Sequence, residues 1–350
     1  MEKRKKTAYI CRQVDDWSLQ ADVPSTYCPQ VGDVGVFEVM QIGKHRSIQC
    51  ASKLKATIVE GDHMLGAFGT RYATAQFEGN LPDNVNQELH ILGAGGVVGI
   101  VERMHSAYEE IGPTAVRLIG LAADHNGNVV NTKELMQWEL IPFSGAAASK
   151  TRVILSVGSA MDSGKTTSAA HLVHGLKRSE CTVAYVKLTG TAYSKDCDLA
   201  WDMGSDIVAD FSDYGFPSTY MCSKQELLSL YETLLSRVLQ VRPDYVIMEI
   251  ADGLYQRETK ALLADHRFAA TITGVMFSAG DSIAALSGAR MLSGLGLGPS
   301  ILSGLFSASP MLVREVSENI DVPVMTIEDL GLAGNLDIIL ARSPTMLSKC

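Results

Sequence analysis

The stretch Gly158-Ser-Ala-Met-Asp-Ser-Gly-Lys-Thr-Thr167 decides how this 350-residue chain is read. Before it, Arg152-Val-Ile-Leu-Ser-Val157 has the apolar character of a short buried strand. After it, Ser168-Ala-Ala-His-Leu-Val-His-Gly-Leu-Lys177 has the pattern of a helix. Strand, glycine-bearing loop and helix in that order form a cradle for phosphate groups. Successive backbone N–H groups point into a concavity, and the positive end of the helix adds to the attraction for anions. In such a loop Lys165 reaches the outer phosphates and the Thr166 hydroxyl sits on Mg²⁺. Gly158, Ser159, Asp162, Ser163, Gly164 and Thr167 complete the expected phosphate-binding set. The spacing departs from the commonest form, whose opening glycine would fall where Ser159 stands, and Gly158 lies one residue further back.

From residue 151 onward the pattern alternates between strands and helices. Cys181–Lys187, Tyr245–Glu249, Ala270–Phe277, Ser300–Phe306 and Val322–Thr326 are short apolar runs, and Lys224–Val241 carries a leucine stripe at helical spacing. Runs of this kind suit strands buried on both faces of a sheet. They predict an α/β fold, a doubly wound and mostly parallel sheet, over 151–350, with its site at the carboxyl ends of the strands. Residues 141–150, small and turn-prone, read as a linker. Residues 1–140 read as a smaller, β-rich, barrel-like domain of unassigned role, with strands near Val34–Ile42, Lys55–Val59 and Val116–Ala122 and a tight turn at Asn126-Gly127.

Two glycine clusters in that first domain invite chemistry. Leu92-Gly-Ala-Gly-Gly-Val-Val-Gly99 imitates a dinucleotide fingerprint, with Asp124 as its acidic partner, but the apolar run after it reads as a hairpin. Gly66-Ala-Phe-Gly-Thr-Arg-Tyr-Ala73 sets Arg71 among glycines and aromatics, where its planar fork would suit a substrate carboxylate or phosphate or simply face solvent.

Bulk properties narrow the class. A formal charge of −9 argues against nucleic-acid binding, and 46% hydrophobic residues suffice for two cores. Seven cysteines without a Cys-x-x-Cys pair fit reduced thiols, so the expected location is cytoplasmic. The start Met1-Glu-Lys-Arg-Lys-Lys6 lacks the apolar stretch of a signal peptide and reads as a solvated tail. Ala284–Phe306 contains Arg290, Pro299 and five glycines, and reads as helix, turn and strand, not a membrane span.

Polar groups at two further strand ends fall where the site belongs. Lys187-Leu-Thr-Gly-Thr191 precedes Asp196 and Asp198, and Met248-Glu-Ile-Ala-Asp-Gly-Leu254 ends the next strand. A carboxylate at the end of an apolar strand is costly without a partner, and Mg²⁺ beside phosphates supplies one. Glu249 or Asp252 is therefore expected to hold the metal, directly or through water, beside Thr166; Lys165, Lys187 and Asp252 are the catalytic candidates, and Thr189, Asp198 and Arg71 the candidates for substrate contact. His171 and His174, three apart on a helix, are more readily ordinary helix residues than metal ligands.

Residues 150–340 resemble dethiobiotin synthetase. Gly158 to Thr166 has the spacing of that family's phosphate loop, Lys187-Leu-Thr-Gly190 is similar to its second-strand Lys-Pro segment, and Glu249-Ile-Ala-Asp-Gly-Leu254 to its Glu-Gly-Ala-Gly-Gly-Leu. The resemblance implies the P-loop NTPase fold, ATP and Mg²⁺ as cofactors, a homodimer, and activation of a small carboxylate, carbamate or hydroxyl by phosphoryl transfer. Ala160, Leu188, Ile250 and Asp252 replace residues typical of that family, which leaves the acceptor open. A related group with an added N-terminal domain implies an alternative, an acyltransferase whose loop grips coenzyme A. A third reading is a nucleotide-switched assembly factor or metallochaperone. The expected partner in the first two readings is a small molecule, with neither nucleic acid nor membrane.

Overall fold

The computed structural model describes residues 5–332 and 334; Met1–Arg4 of the expected tail and Cys350 lie outside the described residues. The chain forms two compact units, and the division is not a single cut. One unit comprises residues up to 140 together with 190–194 and 211–221, and the other comprises 141–189, 195–210 and 222 onward.

The second unit is an α/β sandwich. In chain order its elements are β1 (Arg152–Gly158), α1 (Lys165–Arg178), β2 (Val183–Lys187), α2 (Lys195–Asp202), β3 (Ile207–Asp210), α3 (Lys224–Val238), β4 (Tyr245–Glu249), α4 (Arg257–Leu263), α5 (His266–Ala269), β5 (Gly274–Ser278), α6 (Ser282–Gly294), β6 (Ile301–Ser303), α7 (Pro310–Ser317) and α8 (Ile327–Gly331). The six strands lie in the order β3-β2-β4-β1-β5-β6, every pair parallel. Apart from Arg152, the residues of β1, β2, β4, β5 and β6 are buried, as strands covered by helices on both faces must be. On one face Leu172, Val173 and Leu176 of α1 pack with Ile154, Tyr185, Tyr245 and Ile247 of the sheet and Leu330 of α8.

Two expectations are corrected here, and two elements went unread. The run at 322–326 contributes a single parallel bridge, Val324 to Leu302, because Pro323 has no N–H to extend a ladder. The strand expected from Ala270 begins at Gly274, since the amides of Ala270 and Thr271 close the turn after α5 on the carbonyls of His266 and Phe268. The edge strand β3 and the helix α2 carry too short a pattern to stand out in the sequence. The Ala284–Phe306 stretch is helix, turn and strand as read, and among the described residues no helix is long and apolar enough to cross a membrane.

In the first unit five strands close into a barrel. Residues His63–Phe68, Val34–Gln41, Ala115–Ala123, Leu89–Gly93 and Val97–Met104 pair in that order, and Val97 and Val98 close the ring by pairing with Ala67 and Phe68. Phe37, Met64, Phe68, Ile91, Val98, Val116 and Leu121 fill it. The glycine run at 92–99 is the hairpin between two barrel strands, with no helix after it, so the dinucleotide reading is excluded. Lys5 and Lys6, read as part of a solvated tail, instead form a strand with Thr7 that pairs with His63–Leu65.

Residues 141–150 are anchored within the second unit by one carboxylate. Glu232 of α3, 2% exposed, accepts from the backbone N–H groups of Ser144, Gly145 and Ala147 at 3.2, 2.8 and 3.0 Å and from the Ser144 hydroxyl at 2.9 Å. Glu232→Ala removes four bonds and leaves the buried Ala147 amide unsatisfied, so chemical denaturation is expected to show a loss of about 2–4 kcal/mol.

Candidate functional site

The loop between β1 and α1 is shaped by what its glycines lack. A Cβ on Gly158 would stand 2.2 Å from Ser163 Oγ and 2.7 Å from Lys165 Cγ. The bare Gly158 position leaves room for Ser163 and Lys165 to fold back against it. Gly164, at φ +95°, turns the chain into α1, and exposed Asp162 is also left-handed at φ +59°. Left-handed residues amid right-handed ones aim consecutive N–H groups to one side, the geometry of an anion nest.

Lys165, 6% exposed, donates to the Ala160 carbonyl at 2.7 Å, inside its own loop. Burial holds its ammonium below the usual lysine range; Glu249 and Asp252 oppose that effect, and Lys187 reinforces it. An arriving phosphate would supply the negative charge that this desolvated cation needs.

Strand periodicity assembles the rest. Tyr185 and Lys187 lie two apart on β2 and share one face of the sheet; Glu249 is in register with Lys187 on one side and Ser156 on the other. Glu249, 1% exposed, accepts from the Thr166 hydroxyl at 3.0 Å through Oε1 and from the buried Tyr185 hydroxyl at 2.7 Å through Oε2. Lys187 Nζ lies 3.6 Å from Glu249 Oε1 and forms a closer ion pair with Asp196 at the start of α2. Burial, followed by the Glu249 charge, drives the Tyr185 phenol well above its ordinary range, so it remains a donor.

The expected residues therefore divide. Gly158, Ser163, Gly164, Lys165, Thr166, Lys187 and Glu249 form one connected group. The Ser159 amide is taken up by the Ser278 carbonyl at 2.9 Å, and Thr167 is exposed with its carbonyl on His171 Nδ1. Thr189 Oγ1 accepts from the Ala251 amide at 2.9 Å, a bond that holds the two strand-end loops together. Asp252 adopts φ +62° and its charge acts on Lys165, whereas Asp198 lies one position past Cys197 on α2 and the ion pair with Lys187 belongs to Asp196. Arg71 belongs to the barrel unit. His171 and His174 face Gly331 of α8, where an added Cβ would lie 3.8 Å from each ring, and no group of three or more metal-ligating side chains occurs among the described residues.

Sequence reading missed Tyr185 and two glycines. A Cβ on Gly253 would lie 2.5 Å from the Ser159 carbonyl, and one on Gly304 would lie 2.5 Å from the Ser163 carbonyl. The two backbones hold the loop from opposite strand ends; Gly253 falls within the quoted Glu249–Leu254 segment, whereas no motif marks Gly304.

The donor set fits Mg²⁺ of a particular kind. Thr166 Oγ1 and the Glu249 carboxylate are hard oxygen donors already facing each other, too few to hold the ion alone but sufficient where phosphate oxygens and waters complete its shell.

Strand order, phosphate loop and the Thr166–Glu249 pair define the second unit as a P-loop NTPase-like α/β fold. Among solved structures, the chain is similar to the signal recognition particle receptor FtsY of Elizabethkingia anophelis at 17% identity, over 62% of this chain and 75% of that one, with a TM-score of 0.37. A DUF1611 family protein of Anabaena variabilis matches at 15% identity over 59% and 61%, TM-score 0.40. The hydrogenase maturation factor HypB of Archaeoglobus fulgidus matches at 12% over 56% and 88%, TM-score 0.34. No protein-family profile matches the sequence, and neither does any curated protein. The fold class rests on the chain's own topology and loop.

Because Gly253 meets backbone, Gly253→Ala is expected to displace the loop and weaken nucleoside triphosphate binding at least tenfold by calorimetry. Gly294→Ala, at a position with open space around it, is expected to leave binding unchanged.

Proposed function

We propose that the α/β unit binds a Mg²⁺–nucleoside triphosphate and cleaves its terminal phosphoryl bond. The observation that carries this reading is the buried Glu249 carboxylate, joined to the Thr166 hydroxyl and flanked by the Lys165 and Lys187 ammonium groups. Catalysis of phosphoryl transfer is mostly positioning and charge neutralisation, so these groups meet most of the requirement. The loop amides and Lys165 bind and orient the phosphates. Thr166 and Glu249 hold the metal, which when bound neutralises charge on the phosphate oxygens. Lys187 stands on the adjacent strand as the cation for the transferred group, and Asp196 keeps it extended until phosphate takes over as its partner.

The acceptor in this reading is a small carboxylate, carbamate or hydroxyl, as in the dethiobiotin synthetase likeness, with ATP as the nucleotide. The coenzyme A alternative is less favoured, since gripping a phosphorylated carrier does not call for a hydroxyl and carboxylate set face to face. The nucleotide-switched alternative is favoured by one observation, the Lys187–Asp196 ion pair. It joins the end of β2 to the start of α2, so a phosphate that draws Lys187 away frees Asp196 at the first turn of α2.

Lys165→Ala is expected to abolish nucleotide-dependent turnover; full activity in that variant would contradict the proposal. Lys187→Met should reduce turnover of ATP or GTP by about 10²–10³-fold while nucleotide affinity changes only severalfold. Turnover that yields a phosphorylated small molecule supports the transferase reading. Slow hydrolysis with no other product supports the switch.

A further inference from the structure

The two oxygens of the Glu249 carboxylate have different surroundings. Oε1 accepts from the Thr166 hydroxyl at 3.0 Å and lies 3.6 Å from Lys187 Nζ. Oε2 accepts from the Tyr185 hydroxyl at 2.7 Å. An ionised carboxylate only accepts, so the phenol is the donor. On the other flank stands Ser156, the register partner of Glu249 on β1, whose buried Oγ makes no hydrogen bond among the described residues. The anchor on Oε2 therefore comes from the β2 side.

Tyr185 is itself fixed. Its side chain is fully buried, and its ring shares one core cluster with Leu172 and Leu176 of α1, Cys197 and Ala200 of α2 and Ile247 of β4. Its register partner on β4 is Ile247, two residues before Glu249, so the hydroxyl reaches along the sheet to the carboxylate that ends the strand. A phenylalanine would supply almost the same packing. The hydroxyl adds a polar group that is costly in such a place unless it is bonded. A close-packed ring with few rotatable bonds holds its hydroxyl in one position, and Oε2 with it. Turning both carboxylate oxygens toward the phosphate loop would break this charge-assisted hydrogen bond.

The anchor bears on which cation the site accepts. Mg²⁺ is small and demands near-octahedral geometry, which the narrow bite of a two-oxygen carboxylate does not meet. Ca²⁺ is larger, is flexible in geometry and takes a carboxylate through one oxygen or two. We propose that Tyr185 is a positioning residue that sets metal selectivity: by holding Oε2 it leaves Glu249 to meet the metal of a bound nucleotide through Oε1, which favours Mg²⁺ over Ca²⁺. The assignment rests on the reading of Thr166 and Glu249 as the residues that hold that metal.

The test uses the full chain and reads affinity, not turnover. The imidodiphosphate analogues of ATP and GTP are titrated calorimetrically without metal, with Mg²⁺ and with Ca²⁺, in the native chain, Tyr185→Phe and Glu249→Gln. In Tyr185→Phe the tightening by Mg²⁺ is expected to fall about tenfold, the scale on which loss of a ligating carboxylate's hydrogen-bond partner weakens metal binding. The tightening by Ca²⁺ is expected to be kept or increased, and metal-free affinity to be unchanged. Mg²⁺ and Ca²⁺ gains that fall together in Tyr185→Phe, or that both stay unchanged, would overturn the assignment; loss of the Mg²⁺ gain in Glu249→Gln would then leave the metal reading standing. No Mg²⁺ gain in the native chain would overturn that reading and this assignment with it. Infrared difference spectra supply a second measurement that needs no change at Tyr185. Adding Mg²⁺ to the native complex, taken against Glu249→Gln, is expected to widen the separation of the antisymmetric and symmetric carboxylate stretches, the mark of engagement through one oxygen. A narrowed separation, the mark of both oxygens on the ion, would overturn the proposal.

Discussion

A carboxylate buried at the centre of a sheet is the constraint on which the α/β unit depends. Glu249 ends β4, the strand placed between β1 and β2, and only 1% of it reaches solvent. Uncompensated, a charge in such a place costs several kcal/mol. Each neighbour answers that cost: Thr166 from α1, Tyr185 and Lys187 from β2. The strand order is therefore also a chemical arrangement. Only with β4 between β1 and β2 does the residue that ends it stand beside both the phosphate loop and the second-strand lysine.

The same logic explains the state of the lysines. Lys165 rests on the Ala160 carbonyl and Lys187 on Asp196, so both cations have internal partners that a phosphate can replace. Exchanging an internal acceptor for a ligand oxygen leaves the ion hydrogen-bonded throughout, which lowers the desolvation cost of binding.

Much of this was legible in the sequence, and what was not has identifiable causes. The phosphate loop, its flanking strand and helix, and the polar ends of β2 and β4 follow from local pattern. Barrel closure was foreshadowed by strand-rich composition, but the pairing of Val97 and Val98 with Ala67 and Phe68 that completes the ring is a long-range fact. Strand order is equally non-local, and it alone brings Tyr185 to Glu249 across 64 positions of sequence. Gly253 and Gly304 act by what their missing side chains permit at a distant backbone, which no neighbouring residue announces. The four-residue edge strand Ile207–Asp210 is too short to show a period, and Pro323 reduced a convincing apolar run to one bridge.

In the proposed function Glu249 and Thr166 hold the metal of a bound nucleoside triphosphate. The most direct measurement is nucleoside triphosphate affinity titrated against Mg²⁺ in the native chain and in Glu249→Gln, which keeps the shape and removes the charge. Mg²⁺ is expected to tighten binding in the native chain by about tenfold or more, the scale of one charge-assisted contact, and Glu249→Gln to erase this gain while metal-free binding persists. An equal Mg²⁺ effect in both proteins, or tighter binding of coenzyme A than of any nucleoside triphosphate, would contradict it.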